Sequence, residues 1–477
     1  MVSDGQRDGI AFLSTPVAYG LRAGSVERID THISIVWLAG DRVYKLKRAV
    51  HFDYVDFSTI ELRRVACEAE VRLNRRTAPS LYLGVVPVTR EADGSFALGG
   101  HGMPLDWLVE MARFDQDTLF DRLAERHQLD ISSMDGLAAA IVRLHARAEP
   151  RADHGGRDGM AWVIDGNRLG FAEQGAAVLE PSACQQLTTD ARAALNRCAE
   201  LLEARRRHGS VRFCHGVLHL RNICLINGIP TLFDAVEFNE NISCIDVLCD
   251  LAFLLMDLWR RDLRSHANAI FNEYVARTVD VEGLPLLPLF LSCRAAVRAK
   301  TSATAAKVQS NERQSRELCA ASRQYLELAQ TLLIPLPVRL IAIGGFSGSG
   351  KSTLARRLGP DVGAAPGALI LRSDVIRKTL LGVSPLTRLG PDGYTPGVTR
   401  RVYQTIAGRA LTALKGGHAV IADAVYASPR DREEIARGSA RAGRVVHGSV
   451  DRWTAENPGE AASRARHRCV RCHDRRA

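Results

Sequence analysis

The chain has 477 residues, 46% hydrophobic and 24% charged, the balance of a globular protein rather than a disordered one, with room for about two to four domains. No apolar run reaches the length of about 18 residues that a spanning helix needs, so no membrane partner is expected. The net charge of +10 suits an anionic ligand such as a nucleotide, and it is compatible with nucleic acid, although twelve arginines between Arg430 and Arg476 inflate it.

The first ten residues are polar and acidic, unlike a signal peptide, and the expected compartment is the cytoplasm. The eleven cysteines are scattered, mostly in apolar contexts such as those of Cys249 and Cys293. They read as reduced thiols rather than a disulfide framework.

In chain order, Thr31–Leu38, a turn at Ala39-Gly40-Asp41 and Arg42–Lys47 predict a β-hairpin. Alternation in the second arm puts Lys45 and Lys47 on one face and Tyr44 and Leu46 on the other. Phe57–Arg76 predicts a helix with Ser58 as its N-cap and Glu68 and Glu70 inside it. Strands follow at Tyr82–Val88 and Trp107–Arg113, then an amphipathic helix at Met134–Ala148.

Phe213–Asn222 reads FCHGVLHLRN, and Thr231–Phe238 reads TLFDAVEF. Both resemble the catalytic loop and metal-binding strand of aminoglycoside phosphotransferase-like kinases, whose loop is H-G-D-x-x-x-x-N, followed by an apolar strand ending in Asp. His215, Gly216 and Asn222 fall in register, and Asp234 takes the metal-binding position. The resemblance covers about residues 25–330 and implies that Lys45 binds nucleotide while Asn222 and Asp234 bind Mg²⁺. The family's catalytic Asp is Val217 here. Valine can neither accept a proton nor orient a hydroxyl, so chemistry at this site is expected to be crippled. His219, two residues on, either substitutes for it or packs in the loop. Asp246 and Asp250, four apart on one helical face, either orient the loop backbone or serve as cap and solvated charge.

Helical patterns continue from Arg294 to Leu333, and Pro335 and Pro337 break them. The expected domains are residues 1–333, residues 338–450 and a tail at 451–477.

The second domain opens on its most specific feature. Leu340–Ile343 is an apolar strand run, followed by Gly345-Phe346-Ser347-Gly348-Ser349-Gly350-Lys351-Ser352 and then Thr353 at the start of a helix. This matches G-x-x-x-x-G-K-[ST] in its required strand–loop–helix context. Glycines let the backbone wrap a triphosphate and aim successive N–H groups at it, and the helix N-terminus adds partial positive charge. Lys351 is expected to reach the phosphates and Ser352 to ligate Mg²⁺. A strand at Ala368–Leu371 ends in Arg372-Ser373-Asp374-Val375-Ile376-Arg377. This resembles gluconate kinase, polynucleotide kinase and related P-loop kinases. The resemblance implies that Asp374 positions or deprotonates an acceptor hydroxyl and that Arg377 clamps the acceptor. Ala419–Asp423 is a further buried strand, with Asp423 fitting the Mg²⁺-side acid. Helix is expected over Gly393–Leu414 and from Ser428-Pro429 to about Ala442.

The layout resembles a fusion of an aminoglycoside phosphotransferase-like domain with a P-loop AAA-type predicted kinase domain. The expected fold is therefore an α+β protein-kinase-like domain followed by an α/β P-loop NTPase domain with a parallel sheet. The expected function is ATP- and Mg²⁺-dependent phosphoryl transfer to a hydroxyl-bearing small molecule. The alternatives are a nucleotide-binding sensor with degenerate sites and a nucleic-acid-end kinase. After Val446 the resemblance stops, and the polar, Arg-rich remainder reads as a disordered tail, native, truncated or frameshifted, lacking the expected lid. Its Cys469-Val470-Arg471-Cys472-His473 matches a haem-attachment pattern but is expected to be unstructured thiols rather than a haem or zinc site.

Overall fold

The computed structural model describes residues 4–449 apart from 22–24, 53, 176, 385 and 442–445. The expected tail beyond residue 449, its lid segment and the cysteines at 469 and 472 lie outside the described residues; residues 447–449, expected to begin that tail, instead belong to a strand, Val446–Ser449, paired with Leu340–Ile343. The chain forms two compact units, residues 1–163 with 199–254, and 164–198 with 255–477.

In the first unit, strands β1 (Glu27–Asp30), β2 (Ser34–Ala39), β3 (Arg42–Lys47), β4 (Tyr82–Arg90), β5 (Phe96–Leu98) and β6 (Met103–Ala112) form one sheet, ordered β1-β2-β3-β6-β4-β5, with every pairing antiparallel. Side-chain alternation divides its core. Ile35, Trp37, Tyr44, Leu46 and Leu108 pack on one face. Leu38, Val43 and Val109 pack on the other with Cys67 and Val71 of helix α1 (Ile60–Asn74). The cap of α1 is Thr59, whose hydroxyl accepts the Leu62 N–H at 3.2 Å, and not the expected Ser58. The Ser58 N–H is instead held by the Asp56 carboxylate at 2.9 Å. The rest of this unit includes helix α2 (Ser133–Arg147) and the antiparallel pairs β7 (Val211–Phe213) with β10 (Cys244–Asp246) and β8 (Ile223–Ile226) with β9 (Ile229–Leu232). Helix α3 (Val247–Arg260) begins at the end of β10.

The second unit holds helices α4 (Arg264–Thr278), α5 (Leu287–Val308) and α6 (Glu312–Thr331), followed by a parallel sheet of β11 (Leu340–Ile343), β12 (Leu369–Arg372), β13 (Val420–Asp423) and β14 (Val446–Ser449). Its order is β12-β13-β11-β14. Between strands lie α7 (Lys351–Leu358), α8 (Ser373–Leu380), α9 (Pro396–Lys415) and α10 (Pro429–Arg441). The helix expected over Gly393–Leu414 is a short 3-10 turn, Pro391–Tyr394, and then α9, because Pro396 opens a new helix at its first position. Register aligns Ile343 and Arg372 with Asp423, so the phosphate loop, Asp423 and α8 all sit at the carboxyl ends of the strands. Open parallel sheets bind ligands at that end.

His418, just before β13, is buried beside Phe271 of α4 and donates from Nε2 to the Gly367 carbonyl at 2.9 Å. Burial pushes its pKa from 6.5 down to about 4. Between those values the unfolded chain binds the extra proton, so stability is lost as pH falls through this window, by about 3 kcal/mol in all. The loss between pH 6.5 and 4 is expected to be smaller in His418→Gln, read from thermal denaturation of both proteins at each pH.

Candidate functional site

Two separate constellations hold the residues singled out by the sequence. In the first unit, Lys45 and Lys47 leave the same face of β3 toward α1. Lys45 Nζ lies 2.8 Å from Glu70 Oε1 and 2.7 Å from Asp234 Oδ1. Lys47 Nζ lies 2.6 Å from Glu70 Oε2 and also contacts the Glu237 carboxylate. Of the two glutamates singled out on α1, the structure uses Glu70, which is fully buried; Glu68 pairs with Arg64 on the surface.

Two cations among three carboxylates leave these groups strongly coupled. Burial works against charge on Lys45, but Asp234 and Glu70 outweigh it and hold its pKa well above the usual lysine range. Burial likewise opposes ionisation of Glu70 and Asp234, yet the lysines keep both below the ordinary carboxylate value. For Glu237 burial wins over Lys47, and its pKa is raised. Lys47 and Glu237 were not among the expected site residues. The signal for Lys47 is the strand period, since it shares the face of Lys45.

Asp234 stands in the left-handed region at φ 60°, and its N–H donates to the Tyr82 hydroxyl at 3.1 Å. Asn222 Nδ2 donates to the Val217 carbonyl at 3.0 Å and lies 3.5 Å from the Asp234 carbonyl. The structure therefore brings together Lys45, Asn222 and Asp234, with Val217 in the same loop. His219 packs its ring edge-on against Phe253, with centroids 5.2 Å apart.

Asp250 is what holds the loop. Its Oδ1 accepts the Gly216 N–H at 2.8 Å, and its Oδ2 accepts the His215 N–H at 3.1 Å and lies 3.0 Å from His145 Nε2. Gly216 is required here: its φ is +84°, and a Cβ would meet the Ile242 carbonyl oxygen at 3.1 Å. Asp246 has the other role. It accepts the Leu248 N–H at 2.9 Å at the start of α3 and forms a two-point pair with Arg205 at 2.7 and 2.9 Å. Removing the buried Asp250 carboxylate strands two backbone donors, so Asp250→Ala is expected to cost about 3–5 kcal/mol. Urea unfolding of the full chain checks this, and Asp250→Asn, which keeps one acceptor, is expected to lose less.

Among the described residues, two groupings, His145/Cys214/Asp250 and His154/Glu240/Cys244, have metal-ligand chemistry. The first is the loop clamp itself. In the second, the Arg151 guanidinium already bonds Glu240 at 2.8 Å and the Cys244 sulfur at 3.4 Å.

The second constellation lies at the carboxyl end of the parallel sheet. Gly345, Gly348 and Gly350 have φ of 150°, 80° and 83°, conformations open to glycine alone without strain, and they turn the loop between β11 and α7. Phe346 is 80% exposed at its crest, and Ser347 and Thr353 also face solvent. Lys351 Nζ donates to the Phe346 carbonyl at 2.6 Å, curling back over its own loop. The Ser352 hydroxyl donates to Asp423 Oδ2 at 2.6 Å, and Arg372 Nε stands 3.9 Å from the same oxygen. Ser349 keeps a buried hydroxyl oxygen without a hydrogen-bond partner. A hard cation that takes oxygen ligands fits the Ser352–Asp423 pair, and an anion fits the loop with its lysine.

Asp374 is half-exposed on the first turn of α8, 3.5 Å from Lys378. Arg377 is turned inward: Nη1 donates to the Gly393 carbonyl at 2.8 Å and to the Thr399 hydroxyl at 3.2 Å, and the guanidinium lies 4.9 Å from the Tyr394 ring centre. Clamping an acceptor through Arg377 requires these contacts to exchange.

The AAA domain family model matches residues 340–469, running past Val446, where the resemblance read from the sequence stops. The uncharacterized protein Rv2004c of Mycobacterium tuberculosis is 30% identical over 416 residues, covering 84% of this chain and 79% of that protein. The uncharacterized protein Mb2027c of Mycobacterium bovis matches to the same extent. Among solved structures, a choline/ethanolamine kinase family protein from Mesorhizobium loti is similar at 13% identity and TM-score 0.40, over 69% of this chain and 99% of that one. Amicoumacin kinase hAmiN is similar at 13% identity and TM-score 0.42, over 70% of this chain and 96% of that one. No described helix is long and apolar enough to cross a membrane, and nothing in the described residues supports a nucleic-acid partner. The AAA domain match, which spans the glycine loop of residues 345–353, supports a nucleotide-binding role. The chain belongs to the family of these mycobacterial proteins, with an AAA domain match over residues 340–469.

Proposed function

We propose that the protein is a cytoplasmic, ATP- and Mg²⁺-dependent phosphotransferase whose donor nucleotide binds the phosphate loop of residues 345–353, and whose acceptor is a hydroxyl-bearing small molecule. The observation that carries this reading is the Ser352 hydroxyl 2.6 Å from the Asp423 carboxylate, directly below a glycine loop that ends in Lys351. Mg²⁺, when bound at Ser352 and Asp423, supplies charge neutralisation of the phosphates. Lys351 leaves the Phe346 carbonyl to pair with the phosphates, and loop N–H groups orient them. Asp374 positions the acceptor hydroxyl and takes its proton, with Arg377 clamping the acceptor once it leaves Gly393. The domain division at Pro335–Pro337 belongs to this reading, and so does a kinase-like domain that binds Mg²⁺–ATP weakly through Lys45, Asn222 and Asp234.

Val217 favours a second reading, in which the protein binds nucleotide as a regulatory module and transfers nothing. An assay of the full chain with radiolabelled ATP against panels of sugars, polyols, amino alcohols and aminoglycosides separates the two. Saturable ATP binding without hydrolysis or transfer under any condition contradicts the phosphotransferase reading and leaves the regulatory one.

A further inference from the structure

Strand β12 is an edge strand of the second unit's sheet: its only described strand neighbour is β13. An edge presents unpaired N–H and C=O groups. Here helix α4 takes them. Asn272 Oδ1 accepts the Ile370 N–H at 2.6 Å, and Asn272 Nδ2 donates to the Ala368 carbonyl at 3.1 Å. Asn268, one turn earlier, donates from Nδ2 to the carbonyls of Ala368 at 3.0 Å and Pro366 at 3.1 Å. A side-chain amide carries one carbonyl acceptor and an N–H donor pair, so Asn272 does for β12 what a peptide group of a neighbouring strand would do.

The contact is close as well as polar. Asn268 is 2% exposed. A Cβ on Gly359 would fall 2.6 Å from Asn268 Oδ1, and one on Gly367, at φ +93°, would fall 2.8 Å from Asn268 Nδ2 and 2.4 Å from the Gly359 carbonyl oxygen. Only glycines allow the helix to approach this edge.

What β12 carries gives the contact its consequence. The strand ends at Arg372, beside Asp423, and Asp374 stands on the first turn of the helix that follows at once. The phosphate loop hangs from β11, which β13 separates from β12. We infer that Asn272 and Asn268 are positioning residues: helix α4 acts as the outer neighbour of β12 and sets where Asp374 stands, through amides that bond to β12 and its approach and not to the phosphate loop. The acceptor-side importance of Asp374 rests on the function proposed above; the anchoring of β12 does not.

The test uses the full chain. Asn272→Ala removes donor and acceptor together, and Asn272→Asp keeps an acceptor for Ile370 while losing the donor. Hydrogen exchange is followed in peptides covering 368–378 and 340–353, alongside titration with a fluorescent ATP analogue. Exchange over 368–378 is expected to rise about tenfold in Asn272→Ala, the scale of one lost hydrogen bond, and by less in Asn272→Asp. Exchange over 340–353 and affinity for the analogue are expected to stay within about twofold, because neither amide bonds to that stretch. Unchanged exchange over 368–378, an equal rise over every strand, or lost analogue affinity overturns the inference. If Asn272→Ala does not fold, Asn272→Asp carries the same comparison. Absence of turnover in the unmodified protein would count against the phosphotransferase reading alone, because the exchange result is read without it.

Discussion

Replacing Lys351 with alanine in the full chain is expected to weaken binding of a fluorescent ATP analogue by about 30- to 1,000-fold, that is by about 2–4 kcal/mol. The reason is local. Lys351 is the one cationic side chain within the loop of residues 345–353. In the structure its ammonium rests 2.6 Å from the Phe346 carbonyl, within the loop that a triphosphate would enter. Swapping that neutral acceptor for phosphate oxygens makes a charge-assisted contact, and alanine removes it. The substitution leaves the helix start intact, since Gly350 supplies the left-handed turn before α7. Melting temperature is therefore expected to stay unchanged. Affinity within a factor of about two of the unmodified chain, less than one ordinary hydrogen bond is worth, would remove the assignment of the loop.

The second large effect concerns Val217. In a Lys351→Ala background, where the phosphate loop is silenced, Val217→Asp is expected to raise phosphoryl transfer from the kinase-like site by about 10²-fold or more, the usual scale for a positioned acid–base group. The surroundings are ready for a carboxylate at this position. Asp250 fixes the two preceding N–H groups, of His215 and Gly216. Asn222 is bonded to the Val217 carbonyl itself, so the backbone at this position is held from both sides. Lys45 is already paired with Glu70 and Asp234. Transfer from ATP to kanamycin and to sorbitol reads the outcome. If the chain with Val217 in place already phosphorylates either acceptor efficiently, valine at this position does not cripple the site.

What could be read from the sequence divides by contact range. The phosphate loop is contiguous, so strand, glycines, Lys351 and Ser352 were all legible from one stretch, and Asp423 followed from a strand that ends in an acid. The hairpin carrying Lys45 was legible from alternation, and the same alternation pointed at Lys47. Its partner Glu237 lies 190 positions away, so nothing local marks it. Asp246 and Asp250 look alike in sequence, four apart on one face. Only the fold separates the helix cap from the carboxylate that holds the loop. The spacing of Arg377 from Asp374 points it at a ligand, whereas its packing against Gly393, Tyr394 and Thr399 depends on how the turn before α9 folds back. Asn268 and Asn272 left no sequence signal, because an amide on a helix reads as surface until the edge of a sheet is found beside it.

Turnover of radiolabelled ATP by the full chain, measured beside Lys351→Ala at equal concentration and with Mg²⁺ present, decides whether the phosphate loop drives phosphoryl transfer. Release or transfer of the γ-phosphate by the unmodified chain is expected, and its loss in Lys351→Ala, with both proteins equally folded. Equal turnover by the two proteins would contradict it, because catalysis would then not depend on the phosphate loop.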